Sequence, residues 1–356
     1  MNYEQSAKAQ TERLMADGHA TILAIESSCD ETAAAIVRDG RQVISSVISS
    51  QIPLHAMYGG VVPEIASRAH VESVDPVVDE ALKKAGMTLS DVDAVAVTYG
   101  PGLVGALLTG VNCMKGLSYT SRIPLVPVNH IEGHVSANFL TTPDLEPPFL
   151  CLVVSGGHSH IVAVEDYTTY KVLGKTRDDA AGEALDKAGR TLGLPYPGGI
   201  SIDKIAPTGD ENAFAFPHPR LDTPYDFSFS GLKTAVINIV HRMEQKGETL
   251  PVADLAASFQ KGVTDCLVEK LEKAATDYGY TSIALAGGVS ANSRLRRETD
   301  RLCRQKGWQL HLPALKYCGD NGAMVGAQGY YEYVSGVRAQ PDLNAYATMP
   351  IDRPTF

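Results

Sequence analysis

The chain has 356 residues, 44% of them apolar, and a formal net charge of −10. That length points to about two domains of ordinary size or one large α/β unit, and the apolar content is that of a folded globular protein rather than a disordered one. The acidic balance argues against unaided, indiscriminate nucleic-acid binding, which rests on phosphate neutralisation, although a local basic patch can override the total.

The first twenty residues, MNYEQSAKAQTERLMADGHA, are polar and mixed in charge, without the basic start and apolar middle of a signal peptide. No apolar run reaches the roughly 18 residues that a membrane span needs. A soluble, cytoplasmic protein with an N-terminal extension over residues 1–20 is expected. None of the six cysteines forms a C-x-x-C pair, so free buried thiols are expected rather than disulfides or a cysteine zinc site.

In chain order, TILAIESSCDETAAAIV (21–37) reads as strand, polar turn, strand: a β-hairpin with a tip rich in hydroxyls and carboxylates. VVPEIASRAHVESVDPVVDEALKKAG predicts a helix from about Pro63, broken near Pro76. VDAVAVTYGPGLVGALLTGVNCMKGLSY reads strand, glycine turn, helix, an α/β signature. The prolines of EPPF (146–149) mark a boundary, after which FLCLVVSGGHSHIVAV (149–164) repeats the hairpin layout. DDAAGEALDKAGRTLGLPYPGGISID (178–203) predicts an amphipathic helix crowded by Asp178, Asp179, Glu183 and Asp186. TSIALAGGVSANSRLRR (281–297) again gives strand, Gly-Gly turn, helix, with Gly287 and Gly288 placed where the helix begins. The basic run SRLRRETDRLCRQKGW reads as a solvated helix face, and PDLNAYATMPIDRPTF as an irregular tail. Two polar-tipped hairpins, each followed by α/β material, predict two similar lobes.

Both hairpin tips have a chemical reading. Small residues let backbone N–H groups approach an anion, and Ser27, Ser28, Thr32, Ser155 and Ser159 add hydroxyl donors. With AGGVSAN as a third tip, a ligand cleft is expected, although no G-x-x-x-x-G-K-[ST] loop occurs. Asp186 lies near the turn Gly198–Gly199, where a carboxylate can take ribose hydroxyls.

NHIEGH places His130 and His134 four residues apart. On a helix, that spacing sets the imidazoles about 40° apart, on one face. A zinc protease needs its glutamate directly after the first histidine. Glu132 comes one place later, about 200° round the axis from the first ring, and points away from a metal. Spacing alone leaves the pair open between a metal site and plain packing. A third ligand is needed, and the best candidate is Asp320 in the glycine turn YCGDNGA, reaching across the two lobes; a His/His/carboxylate set suits Fe²⁺, Zn²⁺ or Mn²⁺.

Ten blocks in order, IESSCDET, YGGVVPEIASRAH, GPGLVGALL, NHIEGH, VSGGHSH, DDAAGEALDK, YPGG, DFSFSGLKTA, AGGVSAN and DNGAM, resemble the catalytic subunits of the universal tRNA threonylcarbamoyladenosine synthases, once described as O-sialoglycoprotein endopeptidases. The resemblance runs from about Ile22 to about Gly336 and is to the bacterial type, since Val153 stands where the archaeal type has a metal-contacting tyrosine. It implies the two-lobed actin/Hsp70/sugar-kinase-like α/β fold: a first lobe over 21–130 completed by 320–345, a second over 131–319 and a tail over 346–356. It implies one divalent metal ion, Fe²⁺ first and Zn²⁺ second, on His130, His134 and Asp320. An adenylate, or ATP, ADP or AMP, would lie on Val153, Val154, Ser155, Gly156, Gly157, Asp186, Gly199, Asp203 and Asn292. The implied reaction moves a threonylcarbamoyl group from its adenylate to the N6 amine of the adenosine beside the anticodon in tRNAs reading ANN codons. The implied partners are tRNA, an inactive paralogous subunit, a P-loop ATPase and, upstream, the synthase that makes the adenylate. The helix around VVPEIASRAHVESVDPVVDEAL is the expected pairing face, and Glu31 is the candidate polar catalytic helper. Asn129 and Ser121 depart from the residues often found in the family, at positions that bind no metal.

Rival readings are a small-molecule carbamoyltransferase or sugar kinase of the same fold, the old metallopeptidase label, and a non-catalytic scaffold. The carbamoyltransferase needs further domains for making carbamoyl-adenylate, the sugar kinase a catalytic aspartate motif but no paired-histidine metal site, the peptidase a base beside the metal, and the scaffold no metal or glycine motifs at all.

Overall fold

The computed structural model describes residues 19–218 and 221–352. Most of the N-terminal extension and the last four residues of the tail lie outside them. The first sheet comprises β1 (Thr21–Glu26), β2 (Glu31–Arg38), β3 (Gln42–Ser50), β4 (Ala94–Gly100) and β5 (Leu125–Asn129), in the order β3-β2-β1-β4-β5. The second comprises β6 (Phe149–Val154), β7 (Ser159–Asp166), β8 (Thr169–Lys175), β9 (Ser282–Ala286) and β10 (Gln309–His311), in the order β10-β9-β6-β7-β8. Each sheet opens with an antiparallel three-strand meander and adds two parallel strands on the other side of its first strand. The duplication expected from the two hairpins is therefore carried through five strands per lobe. The lobes have the actin/Hsp70/sugar-kinase-like α/β architecture.

The central strands are apolar on both faces because both faces are covered. In β1, Leu23 and Ile25 enter one core while Ile22 and Ala24 enter another. In β6, Leu150, Leu152 and Val154 face one core and Cys151 and Val153 a second.

The helices of the first lobe are α1 (Ile52–Ala56), α2 (Pro63–Ala85) and α3 (Val104–Ser121). The break expected at Pro76 does not occur. Helix α2 runs through it, starting on Pro63 and ending on left-handed Gly86. A proline in a helix interior deletes only its own N–H bond and crowds one carbonyl. Here Val74, Val77, Val78 and Ala81, buried in the first-lobe core on both sides of Pro76, hold the axis.

Helix α4 (His130–Ser136) follows β5 directly and bridges the lobes: Ile131 and Val135 pack with Phe149, Val153 and Ala286 of the second sheet. The second lobe adds α5 (Ala181–Thr191), α6 (Gly198–Ile205), α7 (Ser230–Gln245), α8 (Val252–Tyr278) and α9 (Ser293–Lys306). The last helix, α10 (Gly322–Val334), returns to the first lobe and lies on β1, β2 and β5. Its glycines permit that approach: a Cβ at Gly329 would stand 2.6 Å from the Ala96 Cβ. Asp320 immediately precedes α10, so it hangs from the first lobe and does not reach across from the second. Among the described residues, no helix is long and apolar enough to cross a membrane, and all six cysteines are free.

The tail after residue 340 is irregular, as expected, but it is built in. Tyr346 N–H donates to the Tyr99 carbonyl at 2.8 Å, and Ile351 is buried between α4 and the second sheet.

Candidate metal centre and ligand cleft

The Asn129 side chain accepts the Ile131 N–H at 2.9 Å and starts α4 at His130. The helical spacing then stacks His130 and His134 on one face, with ring centroids 4.6 Å apart. Asp320 Oδ1 faces both, 3.2 Å from His134 Nε2 and 3.7 Å from His130 Nε2. One ligand atom from each of the three lies within 4.8 Å of the others. The His134 ring is buried, and neither of its nitrogens has a hydrogen-bond partner. Its close approach to Asp320 is thus not directed as a hydrogen bond. Of the two Nε2–Oδ1 separations, that of His134 lies within and that of His130 slightly above the roughly 3.0–3.4 Å expected between neighbouring ligands that each sit ~2.1 Å from one ion. The donor set fits a divalent transition metal.

Behind the triad stands Glu26, which closes the buried strand β1 and does not stand out in the sequence. Its carboxylate lies 3.1 Å from His130 Nδ1, and it accepts the Ser28 N–H at 2.5 Å and the Thr98 hydroxyl at 2.7 Å. This fixes the ring so that Nε2 faces the triad, the usual second support of a metal-bound imidazole. Burial works against charge on His130, but Glu26 and Asp320 hold its ring protonated up to about 9. Burial would likewise raise Asp320, yet His130 and His134 hold it down to about 2. This arrangement of charge accommodates a cation in place of a proton. In the sequence it is a carboxylate that ends an apolar run inside the block IESSCDET, a position that requires partners when buried.

Glu132 points away from the triad, toward α10. Desolvation by burial, and then Glu332 beside it, raise its carboxyl well above the ordinary range; burial likewise pushes Glu332 up to about 7. No protease base stands at the metal position of this helix.

The triad opens into a cleft between the lobes with two connected chambers. The first, about 650 Å³, is walled by Ser28–Asp30, Gly59–Val61, Pro101–Leu103, His130, Ser155–His158, α5 side chains and Asp320. The second, about 510 Å³, is walled by Glu31, Gly182, Leu185, Gly199, Ile200, Asp203, Val289 and Asn292. Asp30, Gly156, Asp186, Tyr196 and Asp320 border both.

Most of the residues expected at a ligand meet here. Ser155, Gly156 and Gly157 form the tip between β6 and β7 and line the first chamber, and a side chain at either glycine would meet open space. Val153 and Val154 do not line the cleft. They belong to β6, and strand alternation sends their side chains into two cores. Asp186 accepts the Gly199 N–H at 2.9 Å, which ties α5 to the start of α6. Asp203 accepts the Ser293 N–H at 3.1 Å and hydroxyl at 2.7 Å, and the Asn292 side chain accepts the Leu295 N–H at 2.9 Å. These polar groups cap helices and face the second chamber at once. Glu31 faces it too, accepts the Ser50 hydroxyl at 2.9 Å, and is pushed up to about 8 by burial and by Asp30. Asp30, His158, Tyr196, Lys187 and Arg190 complete the walls; the first four lie inside the blocks IESSCDET, VSGGHSH, YPGG and DDAAGEALDK without being singled out there, and Arg190 lies outside every block.

Two expectations are corrected. Asp178 and Asp179 precede α5 rather than crowding it: Asp178 accepts the Phe229 N–H at 2.8 Å at the head of α7, and Asp179 pairs with Lys233. Helix α9 starts at Ser293 and not at the Gly-Gly turn, because Gly287, at φ +84°, is held against the Val154 backbone and a 3₁₀ turn follows. The basic run on α9 offers no free cationic stripe. Arg294 pairs with Glu211 and Asp265, Arg297 and Arg301 with Glu298, Arg304 with Asp300 and Lys306 with Glu272.

Known proteins match this architecture. HypF, solved full-length in a phosphate- and nucleotide-bound form, superposes with a TM-score of 0.60 at 12% identity, over 88% of this chain and 46% of that one. Component A of the Acidaminococcus fermentans (R)-2-hydroxyglutaryl-CoA dehydratase superposes with a TM-score of 0.52 at 15% identity, over 89% of this chain and 98% of that one. These likenesses concern the fold. The sequence relatives are much nearer. The tRNA N6-adenosine threonylcarbamoyltransferase of Clostridium botulinum (strain 657 / Type Ba4) is 54% identical over 331 residues, 93% of this chain and 97% of the relative. The protein of that name from Clostridioides difficile (strain 630) is 52% identical over 332 residues, 93% of this chain and 98% of the relative. The family profile described as tRNA N6-adenosine threonylcarbamoyltransferase matches residues 42–327, a span that holds the whole triad and most of both chambers. With that extent of identity, the chain belongs to the tRNA N6-adenosine threonylcarbamoyltransferase family, whose members are transferases.

Proposed function

We propose that this protein transfers the threonylcarbamoyl group of L-threonylcarbamoyl-adenylate to the N6 amine of the adenosine beside the anticodon in tRNAs reading ANN codons, releasing AMP. The observation that carries the reading is that His130 and Asp320, with His134 buried beside them, border the same cleft as Ser155–Gly157, Asp186, Gly199, Asp203 and Asn292. A divalent ion on the triad, Fe²⁺ first and Zn²⁺ second, supplies a Lewis acid for the carbamoyl carbonyl or an anchor for the adenylate. Apolar walls from Leu185, Ile200 and Val289 in the second chamber suit an adenine ring, with Asp186 and Asp203 at the ribose. The bare tip Gly156–Gly157 then receives the phosphate.

In the transfer, the amine nitrogen attacks the carbamoyl carbon. The new C–N bond forms, the bond from that carbon to the phosphate oxygen breaks, and its electron pair leaves on AMP. The amine proton must go to a base, and Glu31, with its carboxyl near 8, is the residue assigned to accept it.

The partners proposed are tRNA, an inactive paralogous subunit, a P-loop ATPase and an upstream synthase of the adenylate, in the cytoplasm. Neutralised arginines on α9 and the net charge of −10 leave much of the tRNA surface to partners. Exposed Val71 on α2, with Met57 and Tyr58 in the turn that precedes this helix, supports this part of the first lobe as the pairing face.

The test is reconstitution with the partners, threonine, bicarbonate, ATP and unmodified tRNA, followed by nucleoside analysis of the digested tRNA. Threonylcarbamoyladenosine is expected from the wild type and not from His130→Ala/His134→Ala. No product from wild type, where a related assembly works, defeats the proposal. Normal yield from the double variant defeats the metal assignment.

A further inference from the structure

The first chamber poses a charge problem. Asp320 is balanced by the two histidines of the triad, and outside the triad the walls carry Asp30, Glu183 and Asp186 and two cations, Lys187 and Arg190. Lys187 is committed, 2.6 Å from Glu183 and 3.7 Å from Asp179. Arg190 has neither an ion pair nor a side-chain hydrogen bond among the described residues. It sits in the last turn of α5 and is exposed, and its side chain spans the mouth of the chamber toward the first lobe. A Cβ on Gly59 would meet only one atom within 4 Å, the Arg190 Cδ, at 3.9 Å. The facing turn is bare, with Gly59 at φ +70° and Gly60 beside it.

The proposed donor has two ends. If its adenosine occupies the second chamber, the shared wall at Asp186 and Asp320 directs the acyl end into the first. That acyl end is built from an α-amino acid and carries a free carboxylate, which none of the subsites above receives. A carboxylate beside these acids requires a cation, and a guanidinium presents a planar fork that matches it with two parallel hydrogen bonds.

We propose that Arg190 binds the α-carboxylate of the threonyl group and makes the cleft specific for carbamoyl groups derived from amino acids. The inference rests on the proposed function and deepens it. Arg190 acts on donor binding and positioning, not on the bond-making atoms.

The experiment compares wild type, Arg190→Gln and Arg190→Lys in the reconstituted assembly. Each receives the threonylcarbamoyl-adenylate or the adenylate made from L-threoninamide, which replaces the carboxylate by a neutral amide. Wild type should prefer the carboxylate donor about 10–100-fold in kcat/KM, the scale of losing one charge-assisted hydrogen-bonded contact. Arg190→Gln should shrink that preference to within about 3-fold through a higher KM for the carboxylate donor. Arg190→Lys should keep part of the preference. An equal loss with both donors means a structural role, such as complementing the α5 dipole, and overturns the proposal. A rise confined to the KM for tRNA means a backbone-phosphate contact and also overturns it. An intact preference in Arg190→Gln refutes the carboxylate assignment alone, whereas a wild type that transfers from neither donor refutes the underlying function as well.

Discussion

Replacing Glu26 by glutamine tests how the metal ligands are held. The substitution keeps the side-chain volume inside a fully buried site and removes one acceptor oxygen. In the wild type, Oε1 takes the Ser28 N–H at 2.5 Å, while Oε2 takes the Thr98 hydroxyl at 2.7 Å and faces His130 Nδ1 at 3.1 Å. Glutamine satisfies the Ser28 amide with its oxygen, which turns its NH₂ group toward Thr98 and His130. The Thr98 hydroxyl can rotate to accept. The His130 Nδ1–H cannot; it loses its carboxylate acceptor and keeps only the Ser28 hydroxyl, 3.1 Å away, so the tautomer with its proton on Nε2, the nitrogen that faces the triad, gains population. A protonated Nε2 has no lone pair for a metal. Loss of a supporting hydrogen bond of this kind lowers metal affinity ~10–100-fold, equivalent to about 1.4–2.7 kcal/mol. The assay is competition for Zn²⁺ or, anaerobically, Fe²⁺ against a chromophoric chelator, with thermal melting to verify the fold. Metal affinity within about twofold of wild type in a folded Glu26→Gln variant would refute the reasoning.

Three further outcomes are expected. Folding raises the Glu31 carboxyl from 4.5 to about 8, so the native state binds the extra proton between those values and stability falls as pH rises through that window. The melting temperature of Glu31→Gln relative to wild type should therefore climb from pH 4.5 to about 8, and a constant difference would contradict the burial argument. Asp203→Ala removes the acceptor for the Ser293 N–H and hydroxyl at the head of α9. It should cost about 1–2 kcal/mol in urea unfolding, and a change under ~0.3 kcal/mol would show that the cap contributes nothing. Glu132→Gln preserves a hydrogen-bonding group against Glu332 without a second buried charge. Metal content and tRNA modification should stay at wild-type level, and loss of bound metal in a folded variant would return Glu132 to the metal site.

Much of the fold is legible in the amino-acid sequence. The apolar runs ILAI and FLCLVV, each closed by a polar tip, encode the two hairpins, because local alternation and turn chemistry act over a few residues. The i,i+4 spacing of His130 and His134 sets both rings on one face, and it displaces Glu132 from any protease position by the same helical arithmetic. What the sequence does not decide involves partners far apart in the chain. Pro76 stays inside α2 because valines on either side of it are buried in a core built from other elements. Val153 and Val154 carry the strand into the cleft but turn their side chains away from it, a consequence of cover on both faces of the sheet. Glu26 supports His130 from 104 positions away, and Asp320 meets both rings only because α10 returns to lie on the first sheet. Local pattern determined the elements and the histidine pair. The packing of distant segments, driven by burial that no short window records, decided which acids stand beside those histidines and which side chains wall the cleft.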